Sequence, residues 1–378
     1  MPSPGRAREA NIMSRRGTTM QLFKSTLLLL IVCSSASDTL AAPDKIRVGV
    51  SLPLSGDASA FGNDIKDALL FADRIYGKDR VEFVFEDDKC SGKDATIVAQ
   101  KFVSVDKVKL VTGFGCSEAL LAAAPIYERT KTLVVSAGTA APSISEAGDY
   151  IFRTYPSDVV PTNLLAKFVN GKHRKFAILV EDTSYPNGFA DAFSAQDEVK
   201  GIPVQRESYP PGTTDFRSLL TRLRSQGVDG LLIVATTDRG LVAAVKQVRE
   251  LNWNLPLYSS YLAGSPTFLS QAGKFADGIV FPDFPSVDNL LSEENNRKYL
   301  EFRKEFGAAR TSDFYFITAS SAIVAIENAL DAADPKASLY SSRFTGPSGT
   351  FAFDKNGDVL GIAQVMRTVR DGKVVDIK

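Results

Sequence analysis

Short apolar runs alternate along this chain with stretches whose apolar residues recur every three or four positions. Ile46-Arg47-Val48-Gly49-Val50-Ser51-Leu52 is such a run, ended by Pro53 and Gly56. From Asn63 to Tyr76, Ile65, Ala68, Leu69, Ala72 and Ile75 then follow at a helical period. The unit repeats, predicting strands over 81–85, 109–113, 133–136, 176–180, 230–235 and 257–260, with helices over 94–103, 117–129, 188–199, 216–226 and 240–251. Such alternation predicts an α/β protein with parallel sheets covered by helices on both faces. Ligands of such sheets bind beyond the carboxyl ends of the strands.

The pattern also divides the chain. Tyr150–Asp158 follows a complete strand-helix series and restarts it, Val280–Pro285 is extended and broken by proline, and Phe344–Gly349 is a third interruption. Three crossings imply two doubly wound parallel-sheet lobes joined by a three-stranded hinge, each built from separated pieces of chain. The expected division is 43–155 with 284–345 for the first lobe and 156–283 with 346–378 for the second. Asn356-Gly357 suits the positive φ angles of a tight turn. It predicts a hairpin of 349–353 with 362–369, added to the second lobe.

Composition narrows the class. The formal net charge is zero with no long run of one sign, so neither nucleic acid nor an anionic membrane surface is an expected partner. Lys24, the short apolar stretch Leu27–Val32 and the small residues around Ala41-Ala42 have the layout of a cleavable export signal, giving residues 1–42 as leader. The apolar run is far below the ~20 residues of a membrane-spanning helix. Arg15-Arg16 hints at twin-arginine export. Cys33 would leave with the leader or, alternatively, carry a lipid. Cys90 and Cys116 remain, each following a predicted strand. If those strands are parallel neighbours, the two sulfurs come within bonding reach. A disulfide there implies an oxidising compartment.

Chemistry beyond binding finds little support. The single histidine, His173, lies in the polar stretch 170–175 and reads as an exposed surface residue rather than a general base. No catalytic residue, metal ligand set or cofactor motif is identified. Gly113-Phe114-Gly115-Cys116-Ser117-Glu118 follows a strand and opens a helix, but Glu118 stands where a dinucleotide fingerprint needs its third glycine. The same loop suits a small ligand: the free N–H groups at the start of the helix and the Ser117 hydroxyl could hold a carboxylate. Ser136–Pro142 is a second loop of small residues at a strand end.

With these loops in place, the chain resembles the leucine/isoleucine/valine-binding protein family, type I periplasmic substrate-binding proteins that serve ABC importers. The resemblance rests on Ile46–Gly56, Phe61-Gly62, Asp87-Asp88, the two cysteines, Ser136–Pro142, Phe152-Arg153-Thr154, Tyr185 with Gly188, and Asp215-Phe216, in that order. It implies a monomer that closes on an amino acid or organic carboxylate and delivers it to permease subunits in the membrane. Ligand contacts carried over fall on Phe61, Ser117, Gly138, Thr139, Ala140 and Tyr185, with Phe314 as a further wall. Where amino-acid binders place a tyrosine and an acidic residue against the ligand ammonium, this chain has Thr237 and Tyr261. Glu118, Asp238 or Asp283 would then supply the charge, or the ligand lacks an ammonium. Phe281 belongs either to an apolar cleft wall or to the core. A sensor for a signalling receptor and an exported enzyme are the alternatives.

Overall fold

The computed structural model describes residues 45–377. The expected leader, with Cys33 and the cleavage site, lies outside them. Among the described residues no helix is long and apolar enough to cross a membrane. Strands β1 (Ile46–Leu52), β2 (Val81–Asp87), β3 (Leu110–Gly113), β4 (Leu133–Ser136) and β5 (Ile151–Arg153) form one parallel sheet in the order β2-β1-β3-β4-β5. A second sheet repeats the plan: β6 (Phe176–Glu181), β7 (Val204–Tyr209), β8 (Gly230–Val234), β9 (Leu257–Ser259) and β10 (Val280–Asp283) run β7-β6-β8-β9-β10. The central strands of both sheets are buried on both faces, which is why they read as unbroken apolar runs. The fold is therefore an α/β protein of two parallel-sheet lobes.

Beyond β10 the chain differs from the sequence expectation. Residues 349–353 do not pair with 362–369. Instead β11 (Phe344–Gly346), β12 (Gly349–Phe353) and β13 (Val359–Leu360) form a small antiparallel sheet, with the Asn356-Gly357 turn joining β12 to β13. This sheet lies against the first lobe, not the second. The Phe353 ring packs 5.2 Å from Phe152, and the Arg153 N–H donates to the Gly357 carbonyl at 2.9 Å. Gly361, at φ +101°, lets the chain turn away. Then β14 (Val365–Arg370) and β15 (Lys373–Asp376) pair antiparallel, with β14 on β10. Their hairpin turns at Asp371-Gly372, both at positive φ.

Buried polar groups fix the first crossing. Arg153 is fully buried, and its guanidinium donates to Asp358 at 2.6 Å, to the Ala141 carbonyl at 2.7 Å and to Ser145 at 2.9 Å. The Thr154 hydroxyl donates to the Thr318 carbonyl at 2.7 Å. On the helix Ser59–Tyr76, buried Asp64 accepts from the backbone N–H groups of Arg310 and Thr311 and from the Thr311 hydroxyl. His173 is a correction: its side chain is buried, with Nε2 2.8 Å from the Tyr258 hydroxyl and Nδ1 3.1 Å from the Asp229 carbonyl. Burial holds its pKa below the ordinary value. It is a packed connector between two strand starts.

Cys90 and Cys116 are bonded, with Cα atoms 5.3 Å apart. Their strands are not neighbours, since β1 lies between β2 and β3. Lys89 and Cys90 at positive φ turn the chain back across the end of β1, which brings the sulfurs together. Closing 26 residues stabilises the fold by about 3–4 kcal/mol on the chain-entropy account. Replacing both cysteines with serine is expected to lower the urea midpoint correspondingly; an unchanged midpoint would remove the cross-link from the stability account. Asp88 beside the bridge is fully buried, and burial raises its carboxyl to about 6, against hydrogen bonds from the Cys90 N–H and the Ser51 hydroxyl. The unfolded chain gives up this proton at the lower, ordinary pKa. The group's contribution is thus complete below about pH 4 and is lost as pH rises through about 6. Asp88→Asn is expected to shrink the fall in urea midpoint between about pH 4 and pH 7.

Candidate functional site

One cavity lies where the two sheets present the carboxyl ends of their strands. From the first lobe it is lined by Phe61 after β1, Cys90 after β2, Gly115–Glu118 after β3, and Gly138 and Ala140 after β4. From the second come Thr183 and Tyr185 after β6, Ala235 and Thr236 after β8, and Tyr261 and Leu262 after β9. In each sheet the chain departs in opposite directions from a central strand, to β2 and β3 from β1 and to β7 and β8 from β6. The cavity spans both reversal points, where the crossover helices diverge and leave room for a ligand.

The first-lobe wall is mostly backbone. Gly113 and Phe114, both at positive φ, turn the chain at the end of β3 into the helix Ser117–Thr130. Cys116 precedes this helix without a side-chain cap, so the first N–H groups stay available. Ser117 accepts from the Ala141 N–H at 3.2 Å, which leaves its own proton free to donate. Gly138 must lack a side chain: a Cβ there would stand 2.6 Å from Ile65 and 2.8 Å from the Phe114 carbonyl. Polar donors and close backbone thus converge on one wall without a cationic side chain.

The second-lobe wall is aromatic and hydroxylic. The rings of Tyr185 and Tyr261 lie 5.9 Å apart, and Tyr261 packs 5.8 Å from Tyr155 behind it. Thr183 and Thr236 share a hydroxyl hydrogen bond of 2.6 Å. Burial raises the phenol pKa values of Tyr155, Tyr185 and Tyr261, so all three are neutral hydroxyls.

Phe61, Ser117, Glu118, Gly138, Ala140, Tyr185 and Tyr261, expected from sequence, are therefore brought together. The other expected positions lie elsewhere. Thr139 is fully buried and its hydroxyl pairs with Ser136 at 2.8 Å. Thr237 precedes the helix Asp238–Glu250, and Thr236 takes its place on the wall. Asp283 and Phe314 line an adjoining hollow, with Asp283 3.2 Å from Arg367 and Phe314 stacked on Phe284 at 3.7 Å. Phe281 is fully buried in β10 and packs against Gly264. Thr183, Ala235 and Leu262 had no signal of their own beyond closeness to a strand end.

The acids are engaged. Glu118 accepts from both the N–H and the hydroxyl of Ser184, at the start of the helix Ser184–Ser194 in the other lobe. Asp238 accepts from the Ser265 hydroxyl, and burial lifts its pKa to about 6. Asp283, raised by burial to about 6 despite Arg367, faces that guanidinium.

Residues 45–373 match the family model for periplasmic binding protein, and the chain belongs to that family. A Leu/Ile/Val-binding protein homolog of Brucella abortus is 28% identical over 364 residues, covering 87% of this chain and 91% of the relative. Among solved structures, a leucine-binding protein from Thermotoga maritima superposes with a TM-score of 0.80 at 20% identity, covering 88% of this chain and 98% of its own. A solute-binding protein of R. palustris, solved with 4-hydroxybenzoate, gives 0.77 at 24%, with coverages of 89% and 96%. These relatives are binding proteins of the type the sequence resembles.

The Glu118–Ser184 contact joins the lobes across the cavity. A hydrogen bond to a charged group contributes about 1.5–3 kcal/mol. Glu118→Ala is therefore expected to weaken ligand affinity about tenfold or more with little change in the melting temperature of the free protein. Calorimetric titration measures the first and a thermal scan the second.

Proposed function

We propose that this chain is the periplasmic solute receptor of an ABC importer and that its ligand is a small organic carboxylate without an ammonium group. The observation that carries the ligand class is where the acids first considered for an ammonium stand: Asp238 and Asp283 are bonded to Ser265 and Arg367 and do not line the cavity, and Glu118, which does, has its Oε2 held by Ser184. A buried ammonium without a counter-charge costs several kcal/mol, enough to remove most of a micromolar affinity. The first-lobe wall supplies what a carboxylate needs, in Ser117 and the free N–H groups beside it. Tyr185, Tyr261 and Phe61 supply flat apolar surface across from it. The R. palustris protein solved with 4-hydroxybenzoate has the same fold, which is consistent with this class.

Ligand contacts from both lobes favour the closed arrangement, and the loaded form is the one a membrane permease would recognise. The hinge comprises the chain near 154–158, near 284–287 and at 361–364. Both walls of the cavity come from one chain, which is consistent with a receptor that acts as a monomer. The disulfide and the leader layout at 1–42 support export.

A thermal-shift panel on residues 43–378 tests this reading, with leucine, isoleucine and valine set against benzoate, hydroxybenzoates and short aliphatic carboxylates. At a hundredfold excess over its dissociation constant a ligand adds about 2.7 kcal/mol, which raises the melting temperature by several degrees. Stabilisation by carboxylates alone is the expected result. Stabilisation by the amino acids alone would overturn the ligand class.

A further inference from the structure

The cavity does not end at Phe61 and Tyr261. Both residues, with Leu262, also line an adjoining hollow that runs between the lobes toward the second crossing at 283–288. Its walls come from both lobes. Thr311, whose hydroxyl donates to Asp64, and Phe314 stand on the first, and Gly264 and Asp283 stand on the second. The hollow offers about 850 Å³ of free space against about 540 Å³ for the cavity itself, and each is of a size that takes a small molecule. The carboxylate site as described uses only the smaller of the two.

The far wall of the hollow has one flat apolar side and one set of acceptors. Phe284 and Phe314 are stacked there at 3.7 Å. Gly264 keeps the way to Asp283 open, since a Cβ would stand 2.9 Å from the Phe281 ring and 3.3 Å from the Asp283 Oδ2. The Asp283 side chain is accordingly 19% exposed, enough for a ligand atom to reach it. Its Oδ1 accepts from the Phe284 N–H at 2.8 Å and its Oδ2 from Arg367 at 3.2 Å, so each oxygen keeps a lone pair. Asp313, on the same lining, is paired with Arg303 at 2.7 Å.

From this continuity we infer that the hollow is a second compartment of the ligand site and that the solute is an elongated carboxylate, its acid at Ser117, its middle between Phe61 and Tyr261, and its far end a ring that carries a hydroxyl. The ring would lie along the Phe284–Phe314 pair and the hydroxyl would donate to Asp283. A neutral donor suits this end better than a cation, because Asp283 and Asp313 already have arginine partners. An acid of benzoate length fills the first compartment alone and leaves the second to water. This inference rests on the carboxylate reading above and extends it.

The experiment is a calorimetric comparison of 4-hydroxybenzoate, 3-phenylpropionate and 3-(4-hydroxyphenyl)propionate on the full exported chain, as wild type and as Pro266→Phe. Pro266 is exposed on the lining of the hollow and opens the helix Pro266–Ala272, so a phenyl group there narrows the second compartment and leaves the first untouched. Wild type is expected to bind 3-(4-hydroxyphenyl)propionate about tenfold more tightly than 4-hydroxybenzoate, the worth of two further buried methylenes, and more tightly than 3-phenylpropionate. Pro266→Phe should lose the preference for the longer acid while its affinity for 4-hydroxybenzoate stays within about twofold of wild type. The wild-type comparison carries the test alone if the variant does not fold. In wild type, 4-hydroxybenzoate binding as tightly as the longer acid, or the hydroxyl adding nothing to 3-phenylpropionate, would overturn the second compartment and leave the carboxylate reading standing. Equal losses for all three acids in Pro266→Phe would do the same. Binding of leucine with no binding of any of the three acids would overturn the carboxylate reading itself.

Discussion

A parallel strand delivers its carboxyl end, and with it the start of the next helix, to one edge of its sheet. Where successive crossovers leave a central strand in opposite directions, the helices part and that edge cannot be closed by packing. This chain builds the gap twice, at β1/β3 and at β6/β8, and sets the two face to face. Each feature of the candidate site follows from that placement. Unpaired N–H groups face inward because helices start there, glycine and alanine line one wall because backbone must come close, and loops from seven strands meet without any strand being interrupted.

The two walls differ chemically because the loops differ in what they can spare. In the first lobe the positive-φ turn at Gly113-Phe114 and the close approach at Gly138 fix the backbone itself as the contacting surface. The second lobe presents side chains instead, with tyrosines stacked two deep. Glu118 bridges from one wall to the other by capping a helix that belongs to the opposite lobe. Both bonds fall on Oε2 of Glu118, so the residue that joins the walls is held through one oxygen only.

Much of this was legible in the linear chain. Buried parallel strands announce themselves as short apolar runs, so β1, β3, β4, β6 and β8 and the loops after them could be located, and Phe61, Ser117, Gly138, Ala140, Tyr185 and Tyr261 with them. The polar edge strand β7, Val-Gln-Arg-Glu-Ser-Tyr, gave no apolar run. The helix Tyr315–Asp331 is buried nearly all round and so lacks the one-sided period by which helices are recognised. The hairpin was misplaced because it was built on the turn at Asn356-Gly357 alone, and local turn chemistry does not say which strand the chain returns to; the strand on β10 turns instead at Asp371-Gly372. Thr237 was off by one residue, the smallest error that turns a side chain to the other face.

The disulfide joins two of these themes. Cys90 and Cys116 staple the loops after β2 and β3 over the end of β1, and the same two residues line the cavity beside Phe61 and Ser117. The cross-link that completes the fold is thus also a floor tile of the chamber. A copy retained among reducing thiols would keep its sheets yet lack a finished chamber, and would pass solute by. Maturation of the receptor and its arrival in the oxidising compartment would then be one event.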